Sequence, residues 1–295
     1  MESGGSSLVL TPDQVQNWRD TRCRRRPQLK VVSPEQALEF VNGVGFCFLF
    51  PAPEVEMPSL WEAICGQARP LPMHHDDTEL GYTWEWKDEL PSRGLAFYGK
   101  LLRKKPMLIS LQLLPHFYAL SANYGELEDY LLEYEEGKLS EEAKRVFEAL
   151  LKHGALPTSH LRRRAGLAGK EDARRFDRAI LELQLGLKIV KTGISDANAW
   201  KYCYVYDVLL RRWPDLAERA RAISSREAMS TLLLAYLHNV GVATVEQVVR
   251  LFGWELPWVE ELRARLAAQG ELVMSAHVNG WPEQYLAHRD LQAGR

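Results

Sequence analysis

Carboxylates and aromatic side chains are concentrated in two short stretches of the sequence. In "GFCFLFPAPEVEMPSLWEA" (residues 45–63), an apolar run leads into a proline-punctuated segment that carries Glu54 and Glu56. In "TELGYTWEWKDELPSRG" (residues 78–94), Trp84 and Trp86 stand beside Asp88. A carboxylate can activate a water molecule, and a tryptophan can stack on an extruded base. The stretches predict catalytic carboxylates and stacking rings, although the second also fits two core tryptophans beside a surface turn.

A third stretch is rich in basic side chains. Residues 140–212 carry 15 basic and 9 acidic side chains, although the whole chain has a net charge of −2. Arginine and lysine bind phosphate through charge-assisted hydrogen bonds, so this stretch predicts a DNA-binding face. The alternative is a solvated helix face with internal ion pairs, because acidic residues share the stretch. The candidate DNA contacts are Arg162, Arg163, Arg164, Lys170, Arg174, Arg175 and Arg178.

The elements that must position these cations follow from apolar spacing and helix signals. Ser140 and Gly154 bound a first helix, Thr158 and Gly166 bound a short second helix, and a third helix is expected over residues 170–185. The runs "LKIVKTG" and "WKYCYVYDV" then predict a β-hairpin. Three helices followed by a hairpin indicate a winged helix.

The same order of elements returns near the end of the chain. Segments with the patterns of three helices and a hairpin span residues 224–288, and the acidic start of the third helix favours packing over phosphate contact. In the first 139 residues we expect helices at 11–25 and 33–42, a strand at 45–50 and an irregular segment at 51–82. We therefore predict an α+β fold, mainly α with small β-hairpins, in three domains: a winged-helix-like domain with an irregular insert (1–139), a basic winged helix (140–215) and a second winged-helix-like domain (216–295).

Several classes of protein find no support in the sequence. No apolar run is long enough to cross a bilayer, and the first residues do not resemble a secretion signal, so we expect a cytoplasmic protein with no membrane partner. The four cysteines lack disulfide-framework or zinc-site spacing. His74 and His75 are adjacent and have no second ligand pair, so no metal is expected. The absence of Walker and Gly-x-Gly-x-x-Gly motifs predicts no nucleotide cofactor, and we expect no other cofactor and a monomer.

One segment resembles a known family. The stretch "YVYDVLLRRWPDL" (residues 204–216) is similar to the end of the winged-helix hairpin in the AlkZ/YcaQ-type crosslink-repair DNA glycosylases, and "REAMSTLLLAYLHNVGVATVEQVVRLFGW" continues the resemblance. The resemblance implies tandem winged helices around a DNA-binding cleft, and metal-free excision of alkylated or crosslinked bases. The family also has a C-terminal β-barrel, which we expect this chain to lack. The residues that carry the match are Val205, Tyr206, Asp207, Arg211, Arg212, Pro214 and Asp215.

The resemblance also exposes a departure from the family. Its catalytic Gln-x-Gln or Gln-x-Asp motif corresponds to the segment Phe46, Cys47, Phe48, Leu49 and Phe50, which contains no amide or carboxylate. A phenyl ring cannot orient a water molecule as an amide or carboxylate does. Two functions stay open. The chain is either a divergent monofunctional DNA glycosylase that uses Glu54, Glu56 or Asp88, or a non-catalytic or regulatory protein that binds double-stranded DNA.

Overall fold

Half of the structure is helical, and short strands form small sheets. The computed structural model describes residues 8–73 and 76–293. In chain order the helices are α1 (Pro12–Arg22), α2 (Pro34–Val44), α3 (Leu60–Cys65), α4 (Thr78–Ser92), α5 (Leu114–Ala119), α6 (Asp129–Glu135), α7 (Glu141–His153), α8 (Thr158–Arg164), α9 (Ala173–Leu185), α10 (Leu209–Arg212), α11 (Leu216–Arg221), α12 (Ser225–Val240), α13 (Val245–Phe252), α14 (Leu256–Ala268) and α15 (Asp290–Ala293). The strands are β1 (Leu8–Leu10), β2 (Phe46–Phe48), β3 (Ala96–Gly99), β4 (Met107–Ser110), β5 (Leu156–Pro157), β6 (Ile189–Ser195), β7 (Cys203–Val208), β8 (Val242–Ala243), β9 (Leu272–Val278) and β10 (Tyr285–His288). The predicted class, mainly α with small β-hairpins, is confirmed.

The chain divides into two compact units. The terminal unit combines Met1–Thr83 with Arg226–Arg295, and the central unit is Trp84–Ser225, so the division falls within α4. None of the helices in the described residues has both the length and the apolar character needed to cross a bilayer. The three predicted domains, with boundaries after residues 139 and 215, stay a prediction.

The central unit contains the basic segment, and its elements follow the predicted order. Ser140 caps α7 by accepting a hydrogen bond from the Ala143 N–H at 3.2 Å, and Gly154 ends the helix with a positive φ of 77°. Strands β5, β7 and β6 lie side by side in that order, with β7 antiparallel to both neighbours. The apolar faces of α7, α8 and α9 close over this sheet, and the core includes Val146, Phe147, Leu150, Leu161, Phe176, Leu183 and Ile189.

The terminal unit has a sheet of the same internal order. Strands β8, β10 and β9 are adjacent, and β1 joins the outer edge of β9 in parallel, with Leu8 opposite Ala276. Helix α13 begins with a capping box between Thr244 and Gln247, as its sequence predicts. The predicted succession of three helices and a hairpin is therefore present here as well, with α12, α13 and α14 preceding β9 and β10.

Four local predictions need correction. Residues 51–82 are not irregular throughout, because α3 lies within them and α4 begins at Thr78. Trp84 and Trp86 lie inside α4 and not beside a turn. Thr158 does not cap α8, because its hydroxyl donates to the Tyr204 carbonyl at 2.8 Å. The third helix of the basic segment begins at Ala173, after a turn over the first residues of the predicted range.

Candidate nucleic-acid interface

The short helix α8 presents its arginines in its last turn. Leu161 is buried and anchors the helix to the core, which leaves Arg163 and Arg164 exposed on the opposite side. Arg162 is turned differently. Its guanidinium donates to the carbonyls of Leu167 at 3.1 Å and Gly169 at 2.9 Å, and it lies 5.7 Å from the Phe176 ring centroid. Arg162 therefore stabilises the connection between α8 and α9.

The cations of α9 and of the turn before it also divide into side chains that are paired within the chain and side chains that are not. Arg175 is paired within the chain, because it donates to Glu142 at 2.8 Å and to Asp172 at 3.3 Å. The Nε of Arg178 reaches only the backbone carbonyl of Arg174, at 3.4 Å. Within the described residues, no ion pair or hydrogen bond engages the side chains of four exposed cations. They are Arg163, Arg164, Lys170 and Arg174, which we call the open cations.

An aromatic side chain that the sequence reasoning missed stands at the tip of the β6–β7 hairpin. Trp200 is 88% exposed. The loop that carries it is ordered by Asn198, whose side-chain oxygen accepts from the N–H groups of Trp200 at 3.1 Å and Tyr202 at 3.0 Å. Ser159 of α8 donates to the Ala197 carbonyl at 2.8 Å. This hydrogen bond joins the loop to the helix that carries Arg163 and Arg164. The sequence predicts Trp200 as the first residue of the second strand, whereas β7 begins at Cys203 and leaves the indole in the loop.

Asp88 lies in a cluster of buried charges in the central unit. Lys87 of α4 donates to its Oδ1 at 2.6 Å, Lys191 of β6 contacts the same oxygen, and the Tyr202 hydroxyl donates to its Oδ2 at 2.7 Å. Lys87 is 0% and Lys191 is 2% exposed. The Nζ of Lys191 also lies 3.6 Å from the ring centroid of Tyr204. Both carboxylate oxygens of Asp88 are therefore occupied by donors.

The protonation of this cluster follows from its burial and its excess positive charge. Burial acts to raise the pKa of Asp88, but the ammonium groups of Lys191 and Lys87 outweigh it, so this pKa lies below its usual range. Burial, together with the charge of Lys87, lowers the pKa of Lys191 to about 7. Asp88 is thus held ionised by partners that a general base would have to exchange for a water molecule. The role of Lys191 is not predictable from the sequence, because this residue lies 103 positions after Asp88 and on a different element.

The two tryptophans of α4 differ in exposure. Trp86 is 3% exposed and is part of the core, whereas Trp84 is 41% exposed. The Nζ of Lys87 lies 4.7 Å from the Trp84 ring centroid, so one side of the indole is covered by a cation. Only Trp84 has a surface that a nucleobase could reach without unfolding the helix.

The other two candidate carboxylates lie in the terminal unit. Glu54 is exposed in a turn closed by the Val55 N–H and the Ala52 carbonyl at 3.1 Å. Glu56 is ion-paired with Arg25 at 2.7 Å, and Arg19 lies 3.8 Å from its second oxygen. The structure thus places Glu54 and Glu56 in one unit and Asp88 in the other. His74 and His75 lie outside the described residues.

The segment that precedes these glutamates is part of the core. Phe46, Cys47 and Phe48 are fully buried, and Leu49 is 1% exposed. The Phe46 ring packs at 6.2 Å from that of Phe252. None of these side chains offers a hydrogen-bonding oxygen to a substrate, and strand β2 instead fills the interior of its unit.

Comparison with known proteins identifies the family. The model of the AlkZ-related family matches residues 31–253. The chain belongs to the AlkZ-related family. A solved structure with a similar fold is the DNA glycosylase AlkZ of Streptomyces sahachiroi, with a TM-score of 0.60 and 17% sequence identity, covering 97% of this chain and 72% of that chain. No protein of curated function matches.

Membership of the AlkZ-related family confirms the resemblance inferred from the hairpin sequence. At 17% identity the match to the Streptomyces protein shows a shared fold, and it does not transfer a reaction to this chain. The function of this chain therefore depends on its own side chains. The most informative are the open cations and the buried apolar side chains of β2.

Proposed function

We propose that this chain is a double-stranded DNA-binding protein of the AlkZ-related family that has lost the glycosylase reaction. The observation that carries the binding proposal is the set of open cations on α8, on α9 and in the turn between them. Cations without an intramolecular partner remain available for phosphate, and an arginine or lysine that contacts phosphate releases condensed counterions from DNA. The monomeric state and the cytoplasmic location expected from the sequence stay predictions.

We interpret residues 140–215 as a basic winged helix and residues 216–295 as a second winged-helix-like domain. In such modules the third helix enters the major groove while neighbouring cations hold the backbone. Here α9 is the third helix, and it carries Arg174 on its exposed side, while Arg163 and Arg164 lie in α8. Trp200 at the hairpin tip adds a ring that can stack on a base or lie against a sugar.

The loss of chemistry is supported by the surroundings of the candidate catalytic groups. The resemblance implies that the catalytic amides of the glycosylases correspond to β2, where this chain has buried apolar side chains. Glu56 is neutralised by arginine, and Asp88 is held by two lysines and a tyrosine. A general base needs an oxygen that faces a water molecule, and these contacts occupy the oxygens that would serve.

The binding proposal is tested by comparing two double variants with the wild-type chain. We expect R163Q/R164Q to weaken the affinity for a fluorescein-labelled duplex about tenfold, since two surface contacts of about 0.7 kcal/mol each amount to one factor of ten. Fluorescence anisotropy at fixed salt measures the change. The control R103Q/K104Q removes the same charge from the β3–β4 turn, where both side chains are exposed.

Two outcomes would contradict the assignment of α8. One is unchanged affinity in R163Q/R164Q, and the other is an equal loss in the control.

R162Q serves a different purpose, because Arg162 joins α8 to α9 within the chain. We expect R162Q to lower the melting temperature, while R163Q/R164Q leaves it unchanged.

The second candidate function is a divergent glycosylase. It is favoured by the ionised carboxylate of Asp88 beside Lys191, whose pKa is lowered to about 7 by burial and by the charge of Lys87. The chain is incubated with duplex DNA that contains alkylated purines or an interstrand crosslink, and alkali then converts abasic sites to strand breaks. We expect no breaks under conditions where anisotropy shows binding. Breaks that disappear in D88N, E56Q or E54Q would instead establish a glycosylase with a relocated carboxylate.

A further inference from the structure

Three metal-ligating side chains from distant parts of the sequence meet in the terminal unit. His238 belongs to the last turn of α12, His288 ends β10, and Asp290 begins α15. Their ligand atoms all lie within 4.8 Å of one another. The two imidazole ring centroids are 4.7 Å apart and the rings are nearly perpendicular, at 79°. This group is not predictable from the sequence, because the two histidines are 50 positions apart and belong to different elements.

The contacts inside this group leave electron pairs facing each other. The Oδ2 of Asp290 lies 3.5 Å from the Nδ1 of His288 and 3.9 Å from the Nδ1 of His238. The Nδ1 of His288 also accepts a hydrogen bond from the Asp290 backbone N–H, at 3.3 Å. That nitrogen is therefore unprotonated, and a metal would replace the Asp290 N–H at its lone pair. A cation bound between this nitrogen and the carboxylate oxygen would contact two acceptor atoms that otherwise repel each other.

The chemistry of the donors selects the type of cation. Imidazole nitrogen suits zinc, copper, nickel and iron, whereas calcium and magnesium take oxygen ligands almost alone. The Arg22 guanidinium lies 5.3 Å from the ring centroid of Trp18, and Trp18 in turn packs 6.1 Å from His238 and 6.3 Å from His288. Its positive charge opposes every cation at this site, so a bound metal must form bonds to imidazole nitrogen that outweigh the repulsion.

We propose that His238, His288 and Asp290 form a binding site for one transition-metal dication of the zinc type. Two imidazoles and one carboxylate leave at least one coordination position for solvent. Bonds of about 2.0–2.1 Å in a tetrahedron place ligand atoms about 3.3 Å apart, so the side chains must move inward on binding. Asp290 has the freedom to do so, because its side chain is 48% exposed.

The bound metal would act as a crosslink between α12 and the end of β10. Trp18 already joins α1 to α12, because its indole N–H donates to the His238 carbonyl at 2.8 Å. A metal that binds the folded chain more tightly than the unfolded chain raises the free energy of unfolding. This inference concerns the terminal unit and does not depend on the proposed DNA-binding function.

The test measures metal binding directly on the full chain, prepared without a histidine tag and freed of metal with a chelator. All measurements use the background H74Q/H75Q, which removes the adjacent histidine pair. Isothermal titration with zinc chloride at pH 7.5 should give one site per chain, cobalt(II) should give visible absorption bands, and zinc should raise the melting temperature. We expect H238Q and D290N each to weaken zinc binding at least tenfold.

A matched control and a second variant make the result decisive. His277 is an exposed imidazole on β9 of the same sheet, so H277Q should keep the zinc affinity of the background. Because His288 is largely buried, H288Q could unfold the sheet, and the test therefore uses the more exposed positions 238 and 290. The proposal is overturned if the background protein shows no saturable zinc binding, or if D290N and H238Q bind zinc as tightly as H277Q does.

Discussion

At the scale of single residues, Lys191 has the most unusual surroundings in the central unit. It is buried, it shares one oxygen of Asp88 with Lys87, and its Nζ lies against the ring of Tyr204. Two ammonium groups facing a single carboxylate leave one positive charge uncompensated in a region of low dielectric. The cluster is least unfavourable when Lys191 has lost its proton, which is why its pKa falls to about 7.

This shift predicts how stability changes with pH. The folded-state pKa of about 7 lies below the unfolded value of 10.5, so between these values the unfolded chain binds the extra proton. The free energy of unfolding should therefore rise with pH across this window, by at most about 1.4 kcal/mol per pH unit from this group. The destabilising contribution of Lys191 to the free energy of unfolding is complete below pH 7 and absent above the unfolded pKa of 10.5. We expect K191M to remove this slope, as measured by urea unfolding between pH 7.5 and pH 9.

The comparison with K191M isolates one lysine from the other groups that titrate in this range. The control K100M replaces an exposed lysine that follows β3, and it should keep the wild-type slope. Equal slopes in the wild type and K191M would mean that Lys191 stays protonated in the folded chain. Asp88 keeps its ion pair with Lys87 in K191M, so an unpaired Asp88 carboxylate does not explain a change in the slope.

At the scale of elements, a glutamate joins the first and third helices of the basic segment. Glu182 of α9 accepts from the Ser140 N–H and the Ser140 hydroxyl, both at 2.6 Å, at the start of α7. Hydrogen bonds to a charged group contribute about 1.5–3 kcal/mol. We expect E182A to lower the free energy of unfolding by about 2 kcal/mol in chemical denaturation. E218A, at an exposed position on α11, should change it by less than about 0.5 kcal/mol.

The same contact shows what the sequence could and could not predict about the elements. Ser140, Gly154 and the apolar spacing placed α7 correctly, because caps and periodicity are local signals. The sequence alone indicates only that Glu182 is an acidic residue among arginines, because its partner Ser140 lies 42 positions away. Helix α4 was missed because it has no clear apolar stripe and contains Pro91. A loss in E182A no greater than in E218A would show that the α7–α9 contact is solvent-exposed and weak.

At the scale of the whole molecule, long-range pairing decided what the sequence left undetermined. The parallel pairing of β1 with β9 joins residues near the two ends of the chain, and no local pattern predicts it. The basic segment was predictable, because seven cations stand within 17 positions. Which of them are available was not, since the contacts of Arg162 and Arg175 depend on the folded positions of carbonyls and carboxylates.

The separation of charge along the chain predicts that the proposed DNA binding depends strongly on salt. The net charge is −2, so attraction to DNA requires a local basic surface, and residues 140–212 carry six more basic than acidic side chains. If the four open cations contact phosphate, the logarithm of the binding constant should fall against the logarithm of salt concentration with a slope of about −3.6, at roughly 0.9 per contact. Anisotropy titrations over a series of salt concentrations measure this slope.

In R163Q/R164Q the slope should shrink to about −1.8, and R103Q/K104Q should leave it unchanged. A wild-type slope near zero would mean that phosphate contacts do not drive binding, and the open cations would then be a solvated face.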